Sequence, residues 1–433
     1  AVLKCGTNIM ALLTFSTKVY GDKVALVDDN EILSYNELLI QTKRLATILI
    51  QKYKLGKGMK IAFLCKNHAS LVKGLFSATL LGTDVYMLNA EMSIEQFNKL
   101  VERHGFDFLI YDFELTEFIK NSHYVNDKIA SYHDNLPAVN NLIETESDFF
   151  AKFKPSSWGK IVLLTGGTSG SFKEAAHKPS LFNYLSPFIS LLTKLNVMKY
   201  NSAYIPTPIY HGYGIAVLIL SVATGKKVII SKGFNKEKAC SLVRRHNIEV
   251  ITIVPLMIDK MMKHNTNDLR SLKCIVSGGA KLNPKIVEKV FNKLGNVLYN
   301  MYGTSETGLN MIATPDDLEY SALTIGRKIK GLRLRVLDSN DKEVETGTVG
   351  QFCVKNNWSM RNKNKSWIKT GDIGYRDEKG YYFLCGRVDD MIVSAGENVY
   401  PIELERILIR HPQIDDVAVI GISDEKFGGR LKA

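Results

Sequence analysis

The chain has 433 residues, 45% of them apolar and 23% charged, the composition of an ordinary globular protein with room for two or three domains. A formal charge of +12 reads first as lysine spread over solvated faces and second as a field that attracts anionic small molecules. With no basic run interleaved with aromatics and no nucleic-acid motif, nucleic-acid binding ranks last, and six scattered cysteines without a CxxC pair argue against a zinc site or disulfide framework and for a cytoplasmic protein.

The chain opens on Ala1, and Lys4 ahead of IMALLTF gives a faint secretory signal. An amphipathic first helix is the better reading, because no small-residue cleavage pattern follows. KIAFLC (60–65) predicts a strand, 70–81 a helix, DVYML (84–88) a strand, 93–103 a helix and FDFLIYD (106–112) a strand. The acidic, Asn-rich stretch 139–148 reads as a surface connection. A second set opens with KIVLLT (160–165) and continues through SAYIPT (202–207), KKVIIS (226–231), EVITIV (249–254), LKCIVS (272–277) and NVLYN (296–300), with helical stretches between. Unbroken apolar runs of this kind are buried parallel strands joined by crossover helices. The longest apolar run, Gly214 to Gly225, is broken by Ser221 and Thr224 and falls short of the ~18 residues a membrane span needs. After Gly326 the texture changes to short strands and turns, LRLRVLD, GQFCVK, DIGYRD and GYYFL, which predicts a small barrel-like β region. A new segment opens at Gly386.

Three stretches carry chemistry. LLTGGTSGSFKEA (Leu163 to Ala175) follows a strand, with three glycines that let backbone N–H groups approach a phosphate and Lys173 to supply charge. A Walker P-loop needs GxxxxGK[ST] opening into a helix. Phe172 takes the required glycine position and Glu174 follows the lysine, so a P-loop NTPase is disfavoured. MYGTSETG (Met301 to Gly308) places a carboxylate beside hydroxyls, a sensible half-site for magnesium. Between Trp367 and Glu405 stand Thr370-Gly371-Asp372, the run Gly386 to Asp389, and then Gly396, Pro401 and Glu403.

In this order, and over nearly the whole chain, these motifs resemble the acyl-adenylate-forming superfamily of acyl-CoA synthetases, adenylation domains and luciferases. The resemblance implies an α/β fold. Residues 1–386 would form a large domain of two α/β sheets and a distorted β-barrel, and 387–433 the beginning of a small, mobile α+β domain. On that resemblance the small domain would be incomplete here, since the family continues beyond FGGRLKA to a lysine used in adenylation. The implied activity is ATP- and Mg²⁺-dependent conversion of a carboxylic acid, a fatty acid by first expectation, to an acyl-adenylate, then transfer to CoA. The alternatives are an aryl or succinylbenzoate-type CoA ligase, a carrier-protein acyl ligase, or a nucleotide-binding paralogue without turnover.

Residue by residue, the resemblance assigns Thr165, Gly166, Gly167, Thr168, Ser169, Gly170 and Lys173 to the phosphates. The chain departs from the family pattern at Gly166, Phe172 and Glu174. Ser277, Gly278, Gly279 and Ala280 would line the adenine and Tyr302 would stack on it. Gly303, Thr304 and Ser305 would serve the nucleotide and Glu306 the magnesium. Asp372 would accept the ribose hydroxyls, since an ionised carboxylate offers two oxygens to a vicinal diol, and Arg387 would reach ribose or phosphate. Asp389 would be the hinge, and Ser394, Ala395 and Gly396 would line the CoA tunnel. His211 would stand by the substrate carboxylate as a catalytic residue with Lys173 and Glu306, or be a satisfied core histidine. The absence of an acid in Ile209 to Gly214 disfavours an amino-acid substrate. Val217, Leu218, Met257 and Met261 suit an acyl chain or a core equally. Peripheral membrane contact stays open.

Overall fold

The computed structural model describes residues 5–144, 150–157, 159–166, 172–177, 185–359, 366–394, 397–411, 413–414, 416–424 and 428–433. The chain forms two compact units, 1–281 with 289–298 and 282–288 with 299–433. No described helix is long and apolar enough to cross a membrane.

Unit one holds strands β1 (Val24–Val27), β2 (Ile32–Ser34), β3 (Lys60–Leu64), β4 (Asp84–Met87), β5 (Phe108–Tyr111), β6 (Lys128–Ala130), β7 (Ile161–Gly166), β8 (Phe172–His177), β9 (Ser202–Ile205), β10 (Lys227–Ile230), β11 (Val250–Ile253) and β12 (Cys274–Gly278). One sheet has the order β6-β5-β3-β4-β7-β8, parallel until the antiparallel β8. The other runs β12-β11-β9-β10-β1-β2, parallel until β2. β5, β9, β11 and β12 are buried at every residue, as strands covered on both faces must be.

The pairing differs from expectation at one strand. The run 160–165, expected to open the second set, is β7, and it pairs with β4 through Tyr86 opposite Val162. β1 joins the other sheet beside β10, Leu26 opposite Val228. An apolar run records that it will be buried, not which neighbour will cover it.

The expected helix at 93–103 is Ile94–His104, started by a Ser93–Gln96 capping box. It seats Phe97 and Leu100 against Tyr86, Phe106 and Leu109. The helix Ala69–Leu81 is buried at all 13 positions. It tolerates Lys73 because the ammonium meets Glu31 at 2.7 Å and Gln41 at 3.0 Å; a buried charge needs such partners.

Unit two is built on β13 (Leu298–Thr304), β14 (Gly308–Ala313), β15 (Thr324–Lys328), β16 (Arg333–Leu337), β17 (Gly350–Lys355), β18 (Ile368–Arg376) and β19 (Tyr382–Arg387). Their order is β16-β17-β18-β19-β15-β14-β13, antiparallel throughout. Met311, Ile325, Val336, Phe352 and Tyr382 form its core. Beyond Gly386 come β20 (Ile392–Ser394), β21 (Glu397–Val399), the helix Pro401–Leu408, β22 (Ile420–Asp424) and β23 (Gly428–Lys432). Arg406 of that helix donates to the Leu384 carbonyl.

Phe97 is fully buried and Val125 is 87% exposed. Phe97→Ala is therefore expected to lower unfolding stability by ~3–5 kcal/mol and Val125→Ala by less than ~0.5 kcal/mol. Urea denaturation checks both, and similar midpoints for the two variants would contradict this core assignment.

Candidate active site

In unit one the connection that leaves the carboxyl end of β9, the edge at which open α/β sheets bind ligands, packs against β7 and β12. β7 runs to Gly166 and the chain returns as β8, with Thr165 opposite Lys173 and Gly166 opposite Phe172. The expected phosphate loop is thus a hairpin and opens no helix, which distinguishes it from a Walker loop by backbone course as well as residue type. Gly167, Thr168, Ser169 and Gly170 lie outside the described residues.

β9 leads through Pro206–His211 into the helix Gly212–Ala223. A side chain added at Gly212 would abut Leu163 of β7, 3.4 Å away. The Tyr213 hydroxyl donates to the Val276 carbonyl at 2.7 Å, tying the same segment to the middle of β12. His211 begins the helix without a side-chain capping bond, and its ring meets Tyr210 edge-on at 4.6 Å. Although its edge is exposed, the surrounding protein desolvates the imidazole and lowers its pKa, favouring the neutral ring at pH 7.

Ser277 and Gly278 close β12, and Gly279 and Ala280 form the exposed bend after it. The Ser277 hydroxyl is fully buried and has no hydrogen-bond partner among the described residues. Native proteins rarely leave such a group unpaired; a ligand atom would satisfy it.

Among the described residues, Cys65, His68 and Asp112 bring possible metal donors within 4.8 Å of one another. Each is already engaged. His68 Nδ1 accepts from the Leu71 amide at 3.0 Å and Nε2 bonds Asp112 at 2.7 Å, so Nε2 carries the proton. Burial pushes the Cys65 thiol well up, and it donates to the Ile110 carbonyl. Burial alone would raise the Asp112 carboxyl too, but His68, the Lys66 amide and Ser131 outweigh it and hold it low. The cluster is a satisfied hydrogen-bonded core.

In unit two the site is centred on Asp372. β18 carries extra residues against β17, between the pairs Gln351–Ile373 and Cys353–Lys369. Such a bulge re-aims a side chain. Gly371 makes it possible with φ +82°, a conformation only glycine adopts without strain. Asp372 then lies opposite Arg387 of β19. Its carboxylate accepts from the Tyr302 hydroxyl at 2.5 Å and from Arg387 Nη1 at 3.2 Å, and its amide donates to Thr370 Oγ1. Two oxygens with one donor each retain lone pairs for a diol. Burial raises the Asp372 pKa, Glu306 and Asp390 add to the rise, and Tyr302 and Arg387 oppose it.

MYGTSETG forms the end of β13, the turn Ser305–Thr307 and the start of β14, with Thr304 opposite Gly308. Thr304 and Thr307 share a hydroxyl contact of 2.8 Å. Asn310 donates to the Thr307 hydroxyl, Asn356 to the Thr307 carbonyl and Trp358 to the Leu309 carbonyl. This network fixes the turn and leaves Glu306 half-exposed at its tip, with no hydrogen bond or ion pair among the described residues. Tyr302, expected as an adenine stack, also positions Asp372. Asp389 is 3.7 Å from Arg387 Nη2. Ser394 ends β20 opposite Glu397; Ala395 and Gly396 lie outside the described residues.

Sequence reasoning did not single out Asn310, Asn356, Trp358 or Tyr213. Asn310, Asn356 and Trp358 belong to no spaced motif, Tyr213 stands in the His211 segment without a role of its own there, and the Asn356 and Trp358 bonds each span 49 residues. Because the Tyr302 hydroxyl favours the charged carboxylate, Tyr302→Phe should move the Asp372 pKa further up. Carbon-detected NMR titration of that carboxyl reads it, and an unchanged or lower midpoint would show that the hydroxyl does not donate there.

Comparison with known proteins bears directly on this arrangement. A 2-succinylbenzoate–CoA ligase of Bacillus subtilis (strain 168) is 25% identical, with 94% of this chain and 84% of that protein covered. A fatty acid–[acyl-carrier-protein] ligase of Streptomyces coeruleorubidus is 26% identical over 94% of this chain and 82% of its own. The solved o-succinylbenzoate CoA synthetase of Bacillus subtilis, in complex with an acyl-adenylate intermediate, superposes with TM-score 0.83 at 24% identity over 97% of this chain and 87% of that one, which shows that the two share one α/β fold. The model of the AMP-binding enzyme family matches residues 13–362, a span that takes in the β7–β8 hairpin, His211, Ser277 and the whole MYGTSETG turn, and the chain accordingly belongs to that family.

Proposed function

We propose that this chain activates a carboxylic acid with ATP and passes the acyl group to the CoA thiol, with an aryl acid of the succinylbenzoate class as substrate. The observation that carries the nucleotide half is the buried Asp372 carboxylate, oriented by Tyr302 and Arg387 in a chain of the AMP-binding family. Its free lone pairs suit the ribose diol, and Arg387 supplies the adjacent positive charge. Glu306, uncommitted at the turn tip, would be the residue that holds a magnesium ion. When bound, such an ion would supply positive charge beside the triphosphate. The acid's oxygen forms the new bond to the α-phosphorus as the bond to pyrophosphate breaks. Thiol attack on the acyl carbon then releases AMP.

One observation favours an aryl acid over the fatty acid expected from sequence: the 2-succinylbenzoate ligase of Bacillus subtilis aligns along nearly the whole chain. Of the four apolar candidates for an acyl channel, Leu218 and Met261 are core residues with no exposed surface, while Val217 keeps 7% and Met257 is half-buried. His211, neutral at the end of the β9 loop, can meet the acid without adding charge, and Ser394 is proposed at the CoA entrance. The carrier-protein alternative rests on the Streptomyces relative, and replacing CoA by a phosphopantetheinylated carrier protein separates the two.

Pyrophosphate–ATP exchange with a panel of acids tests the substrate class. Succinylbenzoate and related aryl keto acids should support exchange well above medium- and long-chain fatty acids. The reverse order would return the fatty-acid reading, and no exchange with any acid would favour a binding protein without turnover.

Asp372→Ala should weaken AMP binding by ~1–3 kcal/mol, the scale of hydrogen bonds to a charged group. Unaltered affinity in calorimetry on the folded variant would remove Asp372 from the nucleotide site. Glu306→Gln should depress exchange and shift its magnesium dependence while AMP affinity stays close to that of the unaltered protein. An unshifted magnesium profile would exclude Glu306 as a ligand.

A further inference from the structure

We infer that Asn67 is a positioning residue for the acid, pinning the loop that carries His211 through three hydrogen bonds. This rests on the acid-activation reading above. Asn67 lies between β3 and the buried helix Ala69–Leu81 and is 3% exposed. Its amide nitrogen donates to the carbonyls of Ile205 at 3.2 Å and Thr207 at 2.9 Å. Its oxygen accepts from the Ile209 amide at 2.8 Å. Ile205 ends β9, and Thr207 and Ile209 lie beyond it, where the chain no longer has a strand to bond. Unpaired, these buried backbone groups would each carry a desolvation cost.

The chemistry selects asparagine. The loop offers two acceptors and one donor, and a primary amide is the complement of that set. Aspartate would face two carbonyls with a negative charge, and alanine would leave all three groups unmet.

Asn67 can act as a fixed point because its neighbours are immobilised independently. The Ala69 amide donates to Asp28 at 2.7 Å and the Lys66 amide to Asp112 at 2.9 Å. His68 is locked between Asp112 and the Leu71 amide. On the far side, Gly214 packs so closely on the Pro208 carbonyl that a side chain there would collide with it. The loop thus has one tight backbone seat against its own helix and, among the described residues, a side-chain anchor from outside it in Asn67. Loss of the anchor frees the path from Ile205 to His211, and the acid subsite loosens with it.

The test uses the full chain, with Asn67→Ala and the isosteric Asn67→Asp measured beside the unaltered protein. Hydrogen exchange reads the Ile209 amide directly. Asn67→Ala should lose protection there by about tenfold or more, and Asn67→Asp, which keeps the acceptor but not the donors, should fall between. In pyrophosphate exchange the KM for the acid should rise by about tenfold or more, with the KM for ATP within about twofold; a general loss of structure would move both. Unchanged protection at Ile209, lost protection with an unchanged acid KM, or equal shifts in both KM values would each overturn the inference. If Asn67→Ala does not fold, Asn67→Asp supplies the same readings. If the unaltered protein activates no acid, that control alone contradicts the activation reading, and protection at Ile209 still decides whether Asn67 fixes the loop.

Discussion

A carboxylate that must stay charged while buried is the constraint around which unit two is organised. Asp372 is 6% exposed, and moving an ionised carboxyl out of water is costly unless donors replace the lost hydration. The rest of the local structure supplies those donors. The bulge in β18 turns the side chain toward Tyr302, the register with β19 brings Arg387 opposite, and Thr370 bonds the Asp372 amide. Even so, burial with Glu306 and Asp390 nearby keeps the carboxyl above its usual range. A group held this way gains most from a ligand that donates two more hydrogen bonds, which is what a ribose diol does.

Unit one solves a different problem. Its chemistry sits on connections that leave parallel strands, where the backbone has lost its ladder partners. The β9 connection is tied from outside by Asn67, and Tyr213, at the start of the helix that follows it, bonds the Val276 carbonyl within β12. The Asn67 tie is anchored in turn by two acids, half-buried Asp28 and buried Asp112, that bond the Ala69 and Lys66 amides on either side of it. Buried polar networks of this type rigidify when fully satisfied, and rigidity is what substrate positioning requires.

Much of this was legible from residues alone. Apolar runs marked β3, β4, β5 and β9 to β12, and the stretches 70–81 and 93–103 are the helices Ala69–Leu81 and Ile94–His104, because 3.6-residue and 2-residue periodicities are local properties. The Thr-Gly-Asp motif marked Asp372, yet the bulge that aims it depends on pairing with β17, which spacing does not encode. For the same reason β7 was grouped with the wrong neighbours. Val217, Leu218, Met257 and Met261 were open to two readings, and burial assigns only Leu218 and Met261 to the core. Asn67 carried no signal, since its partners lie 138 to 142 residues away and a lone asparagine before a helix reads as a cap.

The central claim is that the acid's own oxygen becomes bonded to the α-phosphorus of ATP. It is tested most directly by supplying the acid labelled with ¹⁸O in its carboxylate, together with ATP, magnesium and CoA, and analysing the AMP by mass spectrometry. Activation through an acyl-adenylate predicts one ¹⁸O atom in each AMP released. AMP free of label, or ADP as the nucleotide product, would contradict the account.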